Sequence, residues 1–326
     1  MTESILVCGG AGYIGSHMAR LLAEHGYEVT VYDNLATGHR QAVPPAALVE
    51  ADLLDRPRLD KLFASKRFSV VFHFAALIAV GESVVAPDVY YRNNVVGTLN
   101  LLAAMKAAGV ERFVFSSTAA VYGNPVRDVI DETHPKAPIN PYGRGKRIVE
   151  DVLADYADAF GLRSVSFRYF NAAGAHPDGT LGEAHDPETH LIPNVLRAAQ
   201  GEIPELKIFG QDYSTPDGTC VRDYIHILDL CSAHLAAIDW MEKTPGASVF
   251  NLGNGSGFSN LEVIRTVAEV TGLTVPYSFA PRRAGDAGRL VADSTRARTA
   301  LGWAPAFPDL ASIVETAWRW QQNRRY

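Results

Sequence analysis

A short apolar run, ILVC at positions 5–8, passes straight into Gly9-Gly-Ala-Gly12-Tyr-Ile-Gly15 and then into the helical pattern SHMARLLAEHG. The same alternation continues down the first half of the chain. EVTVYD (28–33), ALVEAD (47–52), VVFHF (70–74), RFVFSS (112–117) and RSVSFRYF (163–170) have the length and apolar content of strands buried on both faces. Between them, segments such as NNVVGTLNLLAAMKAAGV carry apolar residues at helical spacing and close on glycine. Strands buried on both faces and joined through helices pair in parallel, so the pattern predicts an α/β chain built on a doubly wound parallel sheet. After about residue 172 the pattern breaks. GAHPDGTLGEAHDPETHLIP is polar and punctuated by Pro and Gly, and reads as a long loop opening a second region. There, SNLEVIRTVAEVTG begins with Ser259 and Glu262 in capping-box spacing, which marks a helix.

The glycine turn at the first strand–helix junction suits a phosphate. Glycines let the backbone turn tightly and come close to a pyrophosphate, while the helix N-terminus offers N–H groups and a positive dipole end. The spacing is GxxGxxG rather than GxGxxG, so the evidence lies in its context, the first junction of an alternating pattern. Asp33 ends the second strand about 20 residues on, where a carboxylate accepts ribose hydroxyls and repels a 2′-phosphate, favouring NAD over NADP. Asp33 is also a natural turn residue before Asn34. Asp52, ending the third strand, is placed to face an adenine ring or to serve only as a strand end.

A second motif, NPYGRGK at 140–146, raises a chemical question. With Asn140 as cap and Pro141 at the first helical position, Tyr142 and Lys146 lie one turn apart on one face. A phenol with pKa about 10 is a poor base at neutral pH, but a fixed ammonium beside it favours the phenolate. Lowering that pKa to about 7 requires roughly 4 kcal/mol. The same pair also arises by chance on surface helices.

A net charge of −6 across 326 residues leaves no electrostatic footprint for nucleic acid. The C-terminal WRWQQNRRY reads as a helix end that buries Trp318 and Trp320. Cys8, Cys220 and Cys231 are far apart and form no CxxC pair, as expected in a reducing cytosol. MTES leads into the first strand without a leader-like stretch, and the longest apolar run, VVFHFAALIAVG, is too short to span a bilayer. The expectation is a cytoplasmic protein with no membrane partner. His176, His185 and His190 have acidic neighbours but no ligand spacing on one element, so no metal is expected.

GGAGYIG, SSTAAVYG and PYGRGK, in that order, resemble the extended short-chain dehydrogenase/reductases. FHFAALIAVGES, NNVVGTLNLL, RYFNAAGAHPDG, HLIP, DGTCVRDYIH and APRRAGD narrow the resemblance to the UDP-glucose 4-epimerase family over nearly the whole chain. The resemblance implies a Rossmann-type NAD-binding domain (1–172, the chain returning to it around 222–242) and a smaller C-terminal α/β domain for the UDP-sugar substrate (173–326). It also implies a homodimer built on helices at about 93–108 and 142–158, with Val95, Leu99, Leu102, Ile148 and Val152 as candidate apolar stripes that would serve equally as core. The activity it implies interconverts UDP-glucose and UDP-galactose, inverting C4 by transient hydride transfer to tightly bound NAD through a 4-keto sugar.

By the same resemblance Tyr142 is the acid/base on O4, Thr118 hydrogen-bonds O4, and Lys146 binds the nicotinamide ribose while lowering the tyrosine pKa. Gly9, Gly12, Tyr13, Ile14, Gly15, Asp33, Asn34, Asp52, Leu53, Phe74, Ala75, Ala76, Asn94 and Tyr169 fall at cofactor positions. Asn171, His190, Leu191, Phe209, Arg222, Arg283 and Asp286 fall at substrate positions, the arginines on the diphosphate and Asp286 on the uridine ribose. Taken singly, each of these has a plain structural reading. Three departures stand out: Ile78 replaces a lysine of many relatives, Gly145 replaces a more usual serine, and Leu290 is of intermediate size where an N-acetyl group would need room. UDP-N-acetylhexosamines and UDP-pentoses therefore remain alternative substrates. A nucleotide-sugar 4,6-dehydratase is less consistent, because Ala119, Ala120 and Val121 follow Thr118 where those enzymes place carboxylates. A non-catalytic NAD-sensing or scaffold protein would have no need to keep Thr118, Tyr142 and Lys146 together.

Overall fold

The computed structural model describes residues 2–283 and 287–326. Its first half follows the strand–helix alternation read from the sequence: β1 (Ser4–Cys8), α1 (Tyr13–Glu24), β2 (Glu28–Asp33), β3 (Leu48–Glu50), α2 (Arg56–Ser65), β4 (Val70–His73), two short helices α3 (Val80–Val85) and α4 (Pro87–Tyr90), α5 (Gly97–Ala107), β5 (Arg112–Ser116), the short β6 (Val129–Ile130), α6 (Pro141–Phe160) and β7 (Arg163–Tyr169). The second half contains β8 (Asn171–Ala173), α7 (Leu191–Ala199), β9 (Leu206–Phe209), β10 (Val221–His226), α8 (Ile227–Lys243), β11 (Ala247–Leu252), β12 (Gly257–Ser259), α9 (Asn260–Thr271), β13 (Tyr277–Ala280), β14 (Arg289–Ala292), α10 (Thr295–Leu301) and α11 (Leu310–Gln322).

Seven parallel strands form the main sheet in the order β11-β7-β5-β4-β1-β2-β3. β1 is central because it is apolar on both faces: Ile5 and Val7 enter one core with Met18 and Leu22 of α1 and Leu230 and Ile238 of α8, while Leu6 and Cys8 enter the other with Leu101, Met105 and Leu153. The third strand is shorter than the 47–52 run, which has only Leu48–Glu50 on β2. The chain returns to this sheet through α8, which packs on α1, and through β11, so the return extends past the residues around 222–242. Smaller sheets order as β12-β10-β14-β6, with β8 also on β10, and as β13-β9. A separate core joins α7, α9 and α11 through Val195, Val263, Val267, Ile313 and Val314. Ser259 and Glu262 complete the expected capping box at α9. In α11 it is Trp320 that is deeply buried, with Trp318 only partly so.

The helix expected at 93–108 begins differently. Tyr91–Val96 is a π-helical segment that runs into α5. Leu102 faces the core, whereas Val96, Leu99 and Ile148 are exposed, so Leu102 drops out of the expected interface stripe. The three cysteines are buried and unpaired, and no helix among the described residues is long and apolar enough to cross a membrane.

Candidate active site

Ligands of open parallel sheets bind at the carboxyl ends of the strands, where neighbouring connections diverge. At that edge β1 ends on the glycine turn, β4 on Phe74-Ala75-Ala76, and β5 on Ser116-Ser117-Thr118. The turn is built by close backbone approach. Gly9 has φ +75°, and a Cβ there would sit 2.4 Å from the Ala75 nitrogen; one on Gly15 would sit 2.1 Å from the Gly9 carbonyl oxygen. Side chains are thus excluded, and backbone lines the cleft. α1 starts from Gly12 with no side-chain cap among the described residues, leaving its first N–H groups for another acceptor. Tyr13 and Ile14 form its first turn, and the Tyr13 hydroxyl donates to the Gly174 carbonyl at 2.6 Å, fastening this end to the second half of the chain.

Asp33 lies at the end of β2, almost fully buried. Its Oδ2 accepts the Ala11 N–H at 2.9 Å and its Oδ1 the Leu35 N–H at 2.8 Å, so the turn reading is correct, yet each oxygen keeps a second lone pair for a ribose hydroxyl. Burial raises its pKa against these two hydrogen bonds. Next to it Asn34 donates to Asp52 at 2.8 Å, and Leu53 is buried behind them. The Asn94 amide bonds both N–H and C=O of Leu77 at 2.9 Å, holding the segment after β4 that carries Phe74, Ala75 and Ala76. Asn94 is the buried residue of the π-helical segment Tyr91–Val96. Glycines at the turn, an uncapped helix start and a strand-end carboxylate together fit the pyrophosphate and adenosine ribose of NAD, and the carboxylate disfavours a 2′-phosphate. Ile78 is exposed nearby and supplies no cation.

The proton-transfer groups converge from β5 and α6. Asn140 caps α6, accepting the Gly143 N–H at 2.8 Å, with Pro141 at the first position, as expected. Thr118 Oγ1 accepts the Ala120 N–H at 3.1 Å, and the Thr118 hydroxyl lies close enough to the Tyr142 phenol to favour the phenolate. Lys146 is buried; its Nζ donates to the Ser116 carbonyl at 2.6 Å and lies 4.8 Å from the Phe115 ring centroid and 5.9 Å from that of Tyr142. Ser116 also hydrogen-bonds the Tyr169 hydroxyl, which brings Tyr169 to the same place.

The electrostatics correct one expectation. Burial raises the Tyr142 pKa, and the opposing effect comes from the Thr118 hydroxyl rather than from Lys146. Lys146 is itself pushed down to about 7 by burial, partly offset by Glu150. Both groups share the desolvation of the site, which disfavours phenolate and ammonium alike. Glu150, one turn beyond Lys146, was missed. It accepts Ser117 Oγ at 2.6 Å and is paired with buried Arg168 through contacts of 2.9 and 2.6 Å; Arg168 in turn donates to the Tyr122 hydroxyl at 2.9 Å. The i, i+4 spacing from Lys146 was the only available signal.

Residues expected at the substrate lie around β8, β10, α7 and β9. Asn171 donates to the Asp223 carbonyl at 2.8 Å, locking β8 to β10. Arg222, on β10, donates to the Val221 and Ala287 carbonyls at 2.9 and 2.8 Å. The Arg283 guanidinium stacks 3.8 Å from the centroid of Phe209, so these two act as one unit. Leu191 opens α7 behind His190. Leu290 pairs in register with Arg222 and packs on Val121, Tyr122 and Ile130, next to the Thr118 turn. Asp286 lies outside the described residues.

The family model of the NAD dependent epimerase/dehydratase family matches residues 5–253. The chain belongs to this family. Within it, the chain is 51% identical to a UDP-glucose 4-epimerase of Rhizobium leguminosarum bv. trifolii over 98% of this chain and 97% of the relative. Among solved structures it resembles UDP-glucose 4-epimerase from Brucella ovis in complex with NAD (TM-score 0.94, 50% identity, covering 97% of this chain and 98% of that one). It also resembles UDP-glucose-4-epimerase from Stenotrophomonas maltophila with bound NAD and formylated UDP-arabinopyranose (TM-score 0.94, 40% identity, covering 98% of each chain). As a member of the NAD dependent epimerase/dehydratase family it uses the dinucleotide that the glycine turn and Asp33 fit.

Proposed function

We propose that this protein is an NAD-dependent UDP-sugar 4-epimerase that interconverts UDP-glucose and UDP-galactose. The observation that carries the reading is the meeting of Thr118, Tyr142 and buried Lys146, whose Nζ is held on the Ser116 carbonyl, at the strand ends that also carry the glycine turn. Residues 1–172, with the α8–β11 return, hold the cofactor, and the remainder of the second half holds the UDP-sugar. Gly9, Gly12, Tyr13, Ile14 and Gly15 take the pyrophosphate; Asp33, Asn34, Asp52 and Leu53 take the adenosine; Phe74, Ala75, Ala76, Asn94, Tyr142, Lys146 and Tyr169 frame the nicotinamide half. NAD, when bound, supplies the hydride acceptor and donor for C4 and a positive charge at the ring.

Tyr142 takes the O4 proton and later returns it. Thr118 donates to the phenol oxygen, which stabilises the phenolate that this step needs. Lys146 loses hydration on burial, so its charge is held by the Ser116 carbonyl and by Glu150 below it. Inverting C4 through a 4-keto sugar requires the hexose to present both faces, so the grip must fall on the nucleotide. Arg222 and the Arg283–Phe209 unit, with Asn171, His190, Leu191 and Asp286, supply that grip on the UDP moiety. Elimination across C5 and C6 has no support, since Ala119, Ala120 and Val121 offer no acid or base after Thr118.

A homodimer fits the exposed Val84, Val85, Val96, Leu99 and Ile148 around α3, α5 and α6. A cytoplasmic location fits three buried unpaired cysteines. The test is conversion of UDP-galactose, UDP-N-acetylgalactosamine and a UDP-pentose in separate reactions without added cofactor. UDP-glucose should form in the first. Turnover of only the second or third would move the substrate to those sugars, and no turnover of any would overturn the reading.

A further inference from the structure

The loop before α7 gathers four side chains, of which the mechanism above uses only His190. Glu183, His185, Glu188 and His190 offer ligand-type atoms that all lie within 4.8 Å of one another. His190 Nδ1 is 2.8 Å from Glu183 Oε1 and 3.1 Å from Glu188 Oε1. His185 Nδ1 is 3.3 Å from Glu183 Oε1 and 3.6 Å from Glu188 Oε2. The two carboxylates are buried, with side chains 7% and 5% exposed. Sequence spacing alone could not find this cluster, because its members lie on a loop and meet only when that loop folds back on itself. His176, grouped with them on the sequence, pairs with Asp178 instead.

Two buried carboxylates require neutralisation. Two imidazolium rings would do it, but the geometry is awkward for that. Both histidines aim the same nitrogen, Nδ1, into one space, and their ring centroids are only 5.1 Å apart. Both would have to be cations, side by side. His185 Nδ1 is buried and makes no hydrogen bond of acceptable geometry, although Glu183 Oε1 is 3.3 Å and Glu188 Oε2 3.6 Å away. A nitrogen so placed is waiting for an acceptor of its lone pair. Ligand atoms about 2.0–2.1 Å from a tetrahedral ion stand roughly 3.4 Å from one another, and with Glu188 Oε2 as its ligand atom the nitrogen–oxygen separations of 2.8, 3.3 and 3.6 Å bracket that edge. Glu188 is also oriented from behind: its Oε1 accepts the Thr189 and His190 N–H groups at 2.8 and 2.9 Å, leaving Oε2 turned toward His185.

We propose that Glu183, His185, Glu188 and His190 form a closed, tetrahedral site for a divalent transition metal, with zinc the best match to two imidazoles and two carboxylates. With four protein ligands the site is structural. It fastens the 183–190 loop where it meets α1: the His185 ring stands edge-on to Tyr13 at 6.5 Å, and Tyr13 is tied to Gly174 at the start of the same loop. The inference stands on this geometry alone and holds whichever sugar the enzyme takes.

The test uses the full chain, stripped with chelator and dialysed to equilibrium against micromolar Zn2+, or against Co2+ as a spectroscopic stand-in. Expected are about one zinc per chain, the intense visible absorption of tetrahedral Co2+, and a higher melting temperature with metal than without. His185→Ala and Glu183→Gln should each weaken zinc binding by more than the roughly 10–100-fold that loss of an outer-shell partner costs. Failure of the wild-type chain to take up stoichiometric zinc, or a weak octahedral Co2+ spectrum, would overturn the proposal and leave a closed ion-pair cluster; so would equal zinc uptake by the wild type and both variants. The wild-type measurements decide even where a variant fails to fold. Zinc uptake without epimerisation would leave the site intact and the functional reading at fault.

Discussion

Two glycines separate Tyr142 from Lys146, and they predict opposite responses to the same small change. A Cβ on Gly143 would meet the Ala120 carbonyl oxygen at 2.5 Å and its carbon at 3.0 Å. Both atoms are backbone in the turn that follows Thr118, so no side chain can rotate away. α6 would have to move off that turn, costing about 1–3 kcal/mol as an overpacked contact. The same movement separates Tyr142 from Thr118, and a displacement of order 1 Å at reacting groups costs about 100-fold in rate. A Cβ on Gly145 meets only a Val95 methyl at 3.6 Å, an ordinary contact. Gly145→Ala therefore gains the helix propensity of alanine, about 0.5–1 kcal/mol, or a rise in melting temperature of roughly 2 °C. The assay is melting temperature and UDP-galactose turnover for both variants beside the wild type. Gly143→Ala should lose stability and about two orders of magnitude in kcat, while Gly145→Ala should gain stability and keep activity. A Gly143→Ala enzyme with wild-type turnover would refute the reasoning that this glycine sets the distance between the two hydroxyls.

Lys146 predicts a pH signature. Its pKa is about 7 in the folded protein and about 10.4 unfolded, so between those values the unfolded chain binds more protons and stability rises with pH, by up to about 1.4 kcal/mol per unit. Lys146→Met should remove that slope, so its stability advantage at pH 7 shrinks toward pH 10; parallel denaturant titrations at several pH values check this, and identical slopes would contradict it. Glu150→Ala leaves Arg168 buried without its carboxylate and should cost about 3–5 kcal/mol in urea unfolding; a loss below 1 kcal/mol would mean the network under the site carries little. Removing the exposed apolar face with Val85→Asp and Leu99→Asp should shift sedimentation from dimer to monomer, and a wild-type monomer at micromolar concentration would remove the dimer altogether.

Much of this architecture was legible because it depends on local chemistry. β1 and β4 are apolar on both faces and β5 nearly so, which argues for buried parallel strands, and Asn140-Pro141 and Ser259…Glu262 announce their helices through caps whose hydrogen bonds are local. The glycine turn was readable for the same reason. What the sequence hid is non-local. The Glu150–Arg168–Tyr122 network and the Glu183–His190 cluster join residues whose types are ordinary on any surface and whose meeting depends on loop geometry. Asn94 also holds the Leu77 backbone, a contact that no spacing announces. Lys146 stands one turn from Tyr142 as its spacing implies, but spacing does not report the burial that draws its pKa down to about 7. Leu102 lies on a stripe that suits interface and core equally, and it packs in the core.

The most direct test is Tyr142→Phe, which keeps the ring and removes only the oxygen that Thr118 holds. The account predicts a folded, NAD-retaining protein whose conversion of UDP-galactose falls by orders of magnitude; conversion at the wild-type rate would contradict it.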